Sequence, residues 1–341
     1  MSPRIFIPAD STARSLGADA VAAAVRAAAP DTQVVRTGSR GLYWLEPLLE
    51  IETAAGRIGF GPLSPADIAN LFATGLPDNA HPDCLGLIEE LPWLQRQQRL
   101  TAERFGVIDP LDINDYCDHG GFKGLLQARS LTSAQIVAAV TESGLRGRGG
   151  AGFPTGIKWQ TVLNANASSK YIVCNADEGD SGTFVDRMLM ESDPFSLIEG
   201  MIIAGLAVGA SSGFIYCRAE YPQAITTLQA AIASATAAGY LEDFSLQVRT
   251  AAGAYICGEE TALLESLEGR RGMVRYRPPL PALEGLWGQP TVVNNVISLA
   301  TVPWILAHSG ADYHRHGVER SRGTLTVQLA GNVLRAFLKT M

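Results

Sequence analysis

Apolar and polar positions form short blocks along the chain. Ile5 to Pro8 and Gln33 to Arg36 read as strands, and Ala13 to Ala29 between them reads as an alanine-rich helix ended by Pro30. Leu48 to Thr53 and Arg57 to Phe60 alternate like a hairpin turned at Ala54-Ala55-Gly56. Ser64 is placed to cap a helix that has Pro65 at its first position. From Arg96 to Arg129 the pattern is mixed, punctuated by Asp109-Pro110 and Gly120-Gly121, and reads as a linker that wraps over the second domain. Leu131 to Ser143 then predicts a helix capped by Thr132 or Ser133 and stopped at Gly144.

Further on, strands are expected at Tyr171 to Cys174, Phe214 to Cys217 and Leu246 to Thr250, with helices at Phe195 to Ala210 and Pro222 to Ala238 between them. Gly253 to Gly258 forms a turn at the mouth of another helix. The proline-rich stretch Arg277 to Pro281 leads to a helix capped by Asn294 or Asn295 and running toward Ala307. Gly323 to Val333 reads as a strand and turn that open a further domain.

The fold class this predicts is α/β. A β-α-β unit, a hairpin and a helix make a small thioredoxin-like domain over residues 1–95. Alternating strands and helices over residues 96–322 predict a Rossmann-like domain with a mainly parallel sheet covered on both faces. Residues 323–341 begin a third domain.

One stretch departs from any packing pattern. Gly144, Gly147, Gly149, Gly150, Gly152 and Gly156 fall within thirteen residues, and such residues weaken helix and strand interiors. Here they serve the backbone, letting N–H groups approach a ligand closely, while Arg146, Arg148 and Lys158 add local positive charge. A phosphate or pyrophosphate is the natural guest. Gly147 to Gly152 scans as GxGxxG, although it follows a helix and not a strand.

Composition narrows the partners. The chain has 341 residues, 47% of them hydrophobic and 18% charged, with net charge −7 and no long basic run. That balance argues against nucleic acid as a partner. The amino terminus lacks an apolar signal core, and the longest uncharged apolar stretch, Gly200 to Cys217, is broken by Ser211, Ser212 and Gly213. Neither a targeting segment nor direct membrane insertion is expected. The five cysteines show no CxxC spacing, so no disulfide framework or zinc site is predicted, and the chain reads as cytoplasmic.

Asp177, Glu178 and Asp180 share one polar loop past the carboxyl end of a strand, and Glu259 and Glu260 open a helix. Helix-dipole complementation alone accounts for a solitary acidic pair. Beside a phosphate loop, however, acidic side chains suit a dinucleotide or flavin, whose hydroxyls and ring N–H groups need acceptors. Asn175, Asn294 and Asn295 add amides that both donate and accept, and each also suits a turn or cap. Phe153 can stack on a base or flavin, or pin the loop to the core. The five histidines fall in no motif that pairs them with a nucleophile or carboxylate, so no side-chain catalytic residue is assigned. Hydride transfer to a flavin needs orientation and stacking, not an acid or base.

Four stretches together resemble one family. Ser143 to Trp159, Cys174 to Glu178, Gly253 to Ala262 and Thr291 to Val296 are similar to the FMN- and NADH-binding flavoprotein subunits shared by complex I, NAD-reducing hydrogenases and NAD-dependent formate dehydrogenases. The variants Gly179 to Phe184 and Tyr276 to Ala282 most resemble the beta subunit of the molybdenum-dependent formate dehydrogenases. The resemblance implies that Gly147, Arg148, Gly149 and Lys158 hold the cofactors at the loop. It implies that Asn175, Asp177, Glu178, Tyr255, Gly258, Glu259, Glu260, Asn294 and Asn295 line FMN, and that Phe153, Asp180 and Arg277 meet NADH. Asp180 and Leu280 stand where complex I relatives commonly carry glutamate and phenylalanine.

The implied activity is that of a diaphorase subunit in a NAD-dependent formate dehydrogenase. It would pass hydride between NAD(H) and FMN, and electrons to or from the iron–sulfur and catalytic subunits of a larger redox complex. A hydrogenase or complex I diaphorase, or a truncated non-catalytic scaffold, is the alternative. Two departures follow from the same resemblance. Gly38 to Pro47 carries none of the 2Fe-2S cysteines found in some relatives, and the chain stops at Met341 within the first strands of a β-grasp-like domain. The 4Fe-4S ligands that the complete relatives carry are therefore expected to lie outside this sequence.

Overall fold

A computed structural model describes residues 4–73, 81–329, 331–332 and 337–340. The chain forms two compact units, Met1–Pro110 with Leu325–Met341, and Leu111–Thr324.

In the first unit, strand β1 (Arg4–Pro8) pairs in parallel with β2 (Gln33–Thr37) and antiparallel with β3 (Leu49–Thr53), which continues through β4 (Gly56–Phe60) to β5 (Cys84–Leu87). The sheet order β2-β1-β3-β4-β5 is that of the expected thioredoxin-like arrangement with one added edge strand. The alanine-rich helix is two pieces, α1 (Ser11–Ser15) and α2 (Ala18–Ala28), because Gly17 takes a left-handed conformation between them. Helix α3 (Pro65–Leu71) begins with Ser64 and Asp67 in a reciprocal capping box. Ile5, Ile7, Val21, Val25, Ile51, Phe60 and Ile68 form the core between α2, α3 and the sheet. A short helix α4 (Pro92–Gln95) follows. The strand expected after Gly323 is Thr326–Leu329. It pairs antiparallel with Phe337–Thr340 and groups with this unit, while Ala330 and Val333 lie outside the described residues.

The second unit corrects the reading of Arg96–Arg129 as a linker. Helices α5 (Ile113–Asp118) and α6 (Lys123–Arg129) belong to this unit, and α6 packs against two later helices, Pro194–Val208 and Val296–Ala307. What anchors α6 is a buried carboxylate. Glu199 accepts from Tyr116 Oη at 2.5 Å and from the Phe122 and Leu125 backbone N–H groups at 2.8 Å each, so it caps α6 from a distant helix. No local pattern announces such a cap.

Helix α7 (Ser133–Glu142) leads through the glycine loop into α8 (Thr155–Asn164), a helix that lies between the loop and the strand expected at Tyr171. Gly156 makes this possible: a Cβ there would lie 2.7 Å from Thr141 Cα, so only glycine lets α8 lie against α7. Strands β6 (Tyr171–Ala176), β7 (Ser212–Cys217), β8 (Ser245–Thr250) and β9 (Thr291–Asn295) form a wholly parallel sheet in the order β8-β7-β6-β9. Helices α9 (Val185–Ser192), α10 (Pro194–Val208), α11 (Pro222–Ala237), α12 (Glu260–Leu267), α13 (Val296–Ala307) and α14 (Gly310–His314) complete it. Helices α10 and α13 are apolar around nearly their whole circumference and pack together as the buried layer. The fold is therefore α/β in both units, as the alternation of elements predicted.

Candidate functional site

The carboxyl ends of β6 and β9 are neighbours in the sheet, with Asn175 paired in register with Asn295. Ligands of open α/β sheets bind in this position. Here a cavity of about 500 Å³ opens, walled by the glycine loop, α8, the mouth of α12, the proline-rich segment and β9.

The loop is a closed structure. Arg146 bridges Pro154, the Gly147 N–H donates to the Phe153 carbonyl at 2.9 Å and the Thr155 N–H to the Leu145 carbonyl at 2.9 Å. The intervening glycines are thereby held at the cavity rim, and Gly150 and Gly152 take positive φ values of 105° and 60°. A Cβ on Gly149 would come within 3.2 Å of Asn295 Cβ, so the absence of a side chain sets how closely loop and β9 approach. Lys158, in the first turn of α8, donates from Nζ to the Val293 carbonyl at 2.7 Å and meets Glu260 Oε2 at 3.3 Å.

Across the cavity, Glu259 caps α12, accepting from the Thr261 and Ala262 N–H groups at 2.8 and 3.0 Å. Arg277 reaches from the proline-rich segment to Glu259 Oε1 at 2.7 Å and Glu260 Oε1 at 2.9 Å. Burial pushes the Glu259 carboxyl up, but the Thr261 hydroxyl, the two helix N–H groups and Arg277 outweigh it and hold the group below the usual carboxylate range. Glu259 is thus an anion fixed at a helix terminus. Asn175 Nδ2 donates to the Gly258 carbonyl at 2.8 Å, and Asn294 Oδ1 accepts from the Trp159 indole at 2.9 Å. Asn295 caps α13 through Ile297 N–H at 2.9 Å and donates to Asp186 Oδ2 at 2.6 Å.

The cavity therefore gathers Gly147, Gly149, Phe153, Lys158, Asn175, Gly258, Glu259, Glu260, Arg277, Asn294 and Asn295. Five expected residues stand outside its walls. The Arg148 guanidinium bonds instead to Tyr313 Oη at 3.2 Å and the Arg322 carbonyl at 2.5 Å, and its N–H donates to Ser298 Oγ at 2.8 Å. It ties the loop to α13 and α14. Glu178 turns to the N-terminus of α9, accepting from Asp186 and Arg187 N–H at 2.9 and 3.2 Å and from Tyr221 Oη at 3.0 Å. Asp177 lies 3.8 Å from Arg218 Nε, and burial raises its carboxyl and that of Glu178. Exposed Tyr255 donates to Asp180 Oδ1 at 3.2 Å, outside the lining.

Thr161, Thr291, Val293, Pro281 and Ala282 line the cavity without having been singled out from the sequence. Some of these had a usable signal. Thr291, Val293 and Asn295 alternate along β9 and so share a face, and Thr161 lies one turn after Lys158 on α8. The proline-segment residues had none, because only the chain's return over the cavity brings them there.

The set of groups suits a phosphorylated, hydroxyl-bearing ring ligand: backbone N–H groups at a glycine rim, one ammonium, three carboxamides and two carboxylates. Among the described residues no group of three or more His, Cys, Asp and Glu could hold a metal ion, and no helix is long and apolar enough to cross a membrane.

Residues 140–304 match the Nuo51 FMN-binding domain. The NADP-reducing hydrogenase subunit HndC of Solidesulfovibrio fructosivorans is 46% identical over 247 residues, covering 70% of this chain and 50% of that protein. An NADH-quinone oxidoreductase subunit of Escherichia coli is 45% identical over 234 residues, covering 66% of this chain and 53% of that protein. The chain thus spans about half the length of the curated relatives it matches. A solved NAD+-reducing NiFe-hydrogenase in the air-oxidized state superposes with a TM-score of 0.62 at 31% identity, covering 99% of this chain and 58% of that chain. Residues 140–304 of the second unit thus match an FMN-binding domain, and the chain is similar to flavoprotein subunits of complex I and of the NAD-linked hydrogenases.

Proposed function

We propose that this chain binds FMN and NAD(H) in the cavity between the glycine loop and α12, as the diaphorase part of a larger redox complex. The observation that carries this is the convergence of a glycine rim, Lys158, three asparagines and the Glu259–Glu260 pair on one cavity of about 500 Å³ within a matched FMN-binding domain. The residues fit the group. The close approach of Gly149 to Asn295 leaves backbone N–H groups, not side chains, at the rim, as a phosphate requires.

Bound FMN supplies a hydride acceptor that releases electrons singly. The protein's part is to hold and orient. Lys158 and the loop N–H groups take the phosphate. Asn175, Asn294 and Asn295 meet ring amide groups with matched donors and acceptors, while Glu259 and Glu260 accept from hydroxyls. Phe153, half exposed beside Pro154, provides a face for the nicotinamide dinucleotide, and Arg277 orders the segment above it. No side chain needs to move a proton for the hydride step.

The larger assembly is a NAD-dependent formate dehydrogenase in this proposal, on the strength of the variants Gly179 to Phe184 and Tyr276 to Ala282. A NAD-linked hydrogenase is the second reading, favoured by the hydrogenase structure that covers 99% of this chain. The test is reconstitution with FMN followed by anaerobic NADH titration of the chain and of its native complex. Bleaching of the bound flavin spectrum is expected, and its absence in the intact complex overturns the reading. Catalytic subunits co-purifying with the chain, molybdenum-type or nickel-type, separate the two assemblies.

A further inference from the structure

Directly behind the Asn295 wall lies a carboxyl group with no assigned work. Asp186 is 5% exposed, accepts from Asn295 Nδ2 at 2.6 Å, and has no Lys, Arg or His nitrogen in ion-pair distance among the described residues. A buried carboxylate without a cation is costly, and the ordinary response is to stay protonated.

Asn295 and the Ile297 N–H favour the charged form of Asp186, but the rest of its surroundings oppose it. Asp186 sits in the first turn of α9, where a helix dipole favours an anion, yet the Asp186 and Arg187 N–H groups of that turn are spent on Glu178. Glu178 faces Asp186 from the loop after β6 and repels a second negative charge. Cys174 on β6 and Cys217 on β7 are buried thiols beside it. Arg187 on its own helix turns away, over the rings of Phe184 and Tyr221. Helices α11 and α13 carry no titratable residue, and the one in α10, Glu199, is engaged with Tyr116 and α6. Burial raises both carboxyls, but Glu178 collects three donors that favour its charged form, while burial and Glu178 raise Asp186 well above the ordinary range.

We propose that Asp186 is a positioning residue of the cavity, a neutral carboxyl that fixes the Asn295 side chain against the glycine loop and keeps that wall free of charge. Asn295 has only one amide group. Its oxygen is spent capping α13 and one of its N–H bonds on Asp186, so its rotamer is set and its second N–H remains for a ligand. A negative charge directly behind it would oppose a ligand that gains electrons. The link to cofactor binding rests on the FMN reading, whereas the protonation of Asp186 does not.

The test therefore has two arms. In the first, carboxyl carbons and side-chain amides of the chain without flavin are titrated by NMR. Asp186 is expected to titrate well above the ordinary carboxylate value of about 3.9, with the Asn295 amide signals following the same midpoint. An ordinary midpoint, or Asn295 signals that do not follow, overturns the proposal. In the second, FMN affinity is measured by fluorescence quenching for Asp186→Asn, which keeps shape and neutrality, and Asp186→Leu, which removes the acceptor. Asp186→Asn is expected to bind FMN about tenfold more tightly than Asp186→Leu, the equivalent of one hydrogen bond. Equal affinities overturn the positioning role. Failure of the wild-type chain itself to bind FMN overturns the cavity's assignment instead, and leaves the NMR titration to decide Asp186.

Discussion

Lys158 Nζ lies 3.3 Å from Glu260 Oε2 while donating to the Val293 carbonyl at 2.7 Å, so the cavity's one ammonium is tethered at both its neighbours. The tether aims the charge inward. Both partners are only partly buried, which keeps the ion pair worth little by itself and readily exchanged for a phosphate.

Replacing Lys158 with alanine is accordingly expected to cost FMN binding about 1.5–3 kcal/mol, the usual worth of a charge-assisted hydrogen bond, with little change in thermal stability. Flavin fluorescence titration of Lys158→Ala against wild type reads this directly. Equal affinities would remove Lys158 from the phosphate site.

Phe153 is 48% exposed, so its ring is not held in the core. Phe153→Ala is expected to raise the KM for NADH several-fold, within the roughly 0.5–1.5 kcal/mol of an aromatic contact, while leaving flavin content unchanged. Steady-state kinetics with a quantified flavin load checks it.

Gly156 tests the packing of α8 on α7. Alanine gains about 1 kcal/mol of helix propensity there. Against this, its Cβ would lie 2.7 Å from Thr141 Cα, a backbone atom that cannot swing aside, and overpacking costs about 1–3 kcal/mol. Net destabilisation is expected, seen as a lowered Tm, together with looser FMN because the loop is the segment that joins the two helices. A raised Tm would mean that the helices part freely.

The first unit carries its own pH dependence. Glu46 accepts from Ser39 Oγ at 2.7 Å and the Leu48 N–H at 3.1 Å, and burial, then the nearby Asp10, push it up to about 8. Between the ordinary carboxylate value and about 8, the unfolded chain is ionised while the folded one keeps its proton. The folded state then binds more protons, so stability falls as pH rises through that window and levels off above it. Thermal unfolding at about pH 5.5, 7 and 8.5 is expected to show the decline for wild type and a flatter profile for Glu46→Gln. Parallel profiles would show that Glu46 ionises normally.

Part of this architecture was legible in the residues alone. Alternation of strand and helix patterns gave both α/β units, because burial periodicity is a local property of a sheet face or helix stripe. Ser64 with Pro65, and Asn295 before an apolar run, marked helix starts for the same reason: a cap satisfies N–H groups two or three residues away. The glycine run marked the cavity rim at Gly147, Gly149 and Gly152, whereas Gly156 in the same run serves the packing of α8 on α7.

What tertiary structure alone decided is which polar groups face the cavity. Glu178 and Glu259 are alike in sequence, each an acid in a glycine-flanked loop before a helix, and each accepts from N–H groups of that helix, yet only Glu259 also lines the cavity. Arg148 and Lys158 are cations of one glycine-rich stretch, yet Arg148 is drawn to Tyr313 and Arg322, more than 160 residues on. Asp186 gave no signal at all. Desolvation and the partners that offset it depend on groups distant in the chain, and only folding brings those groups together.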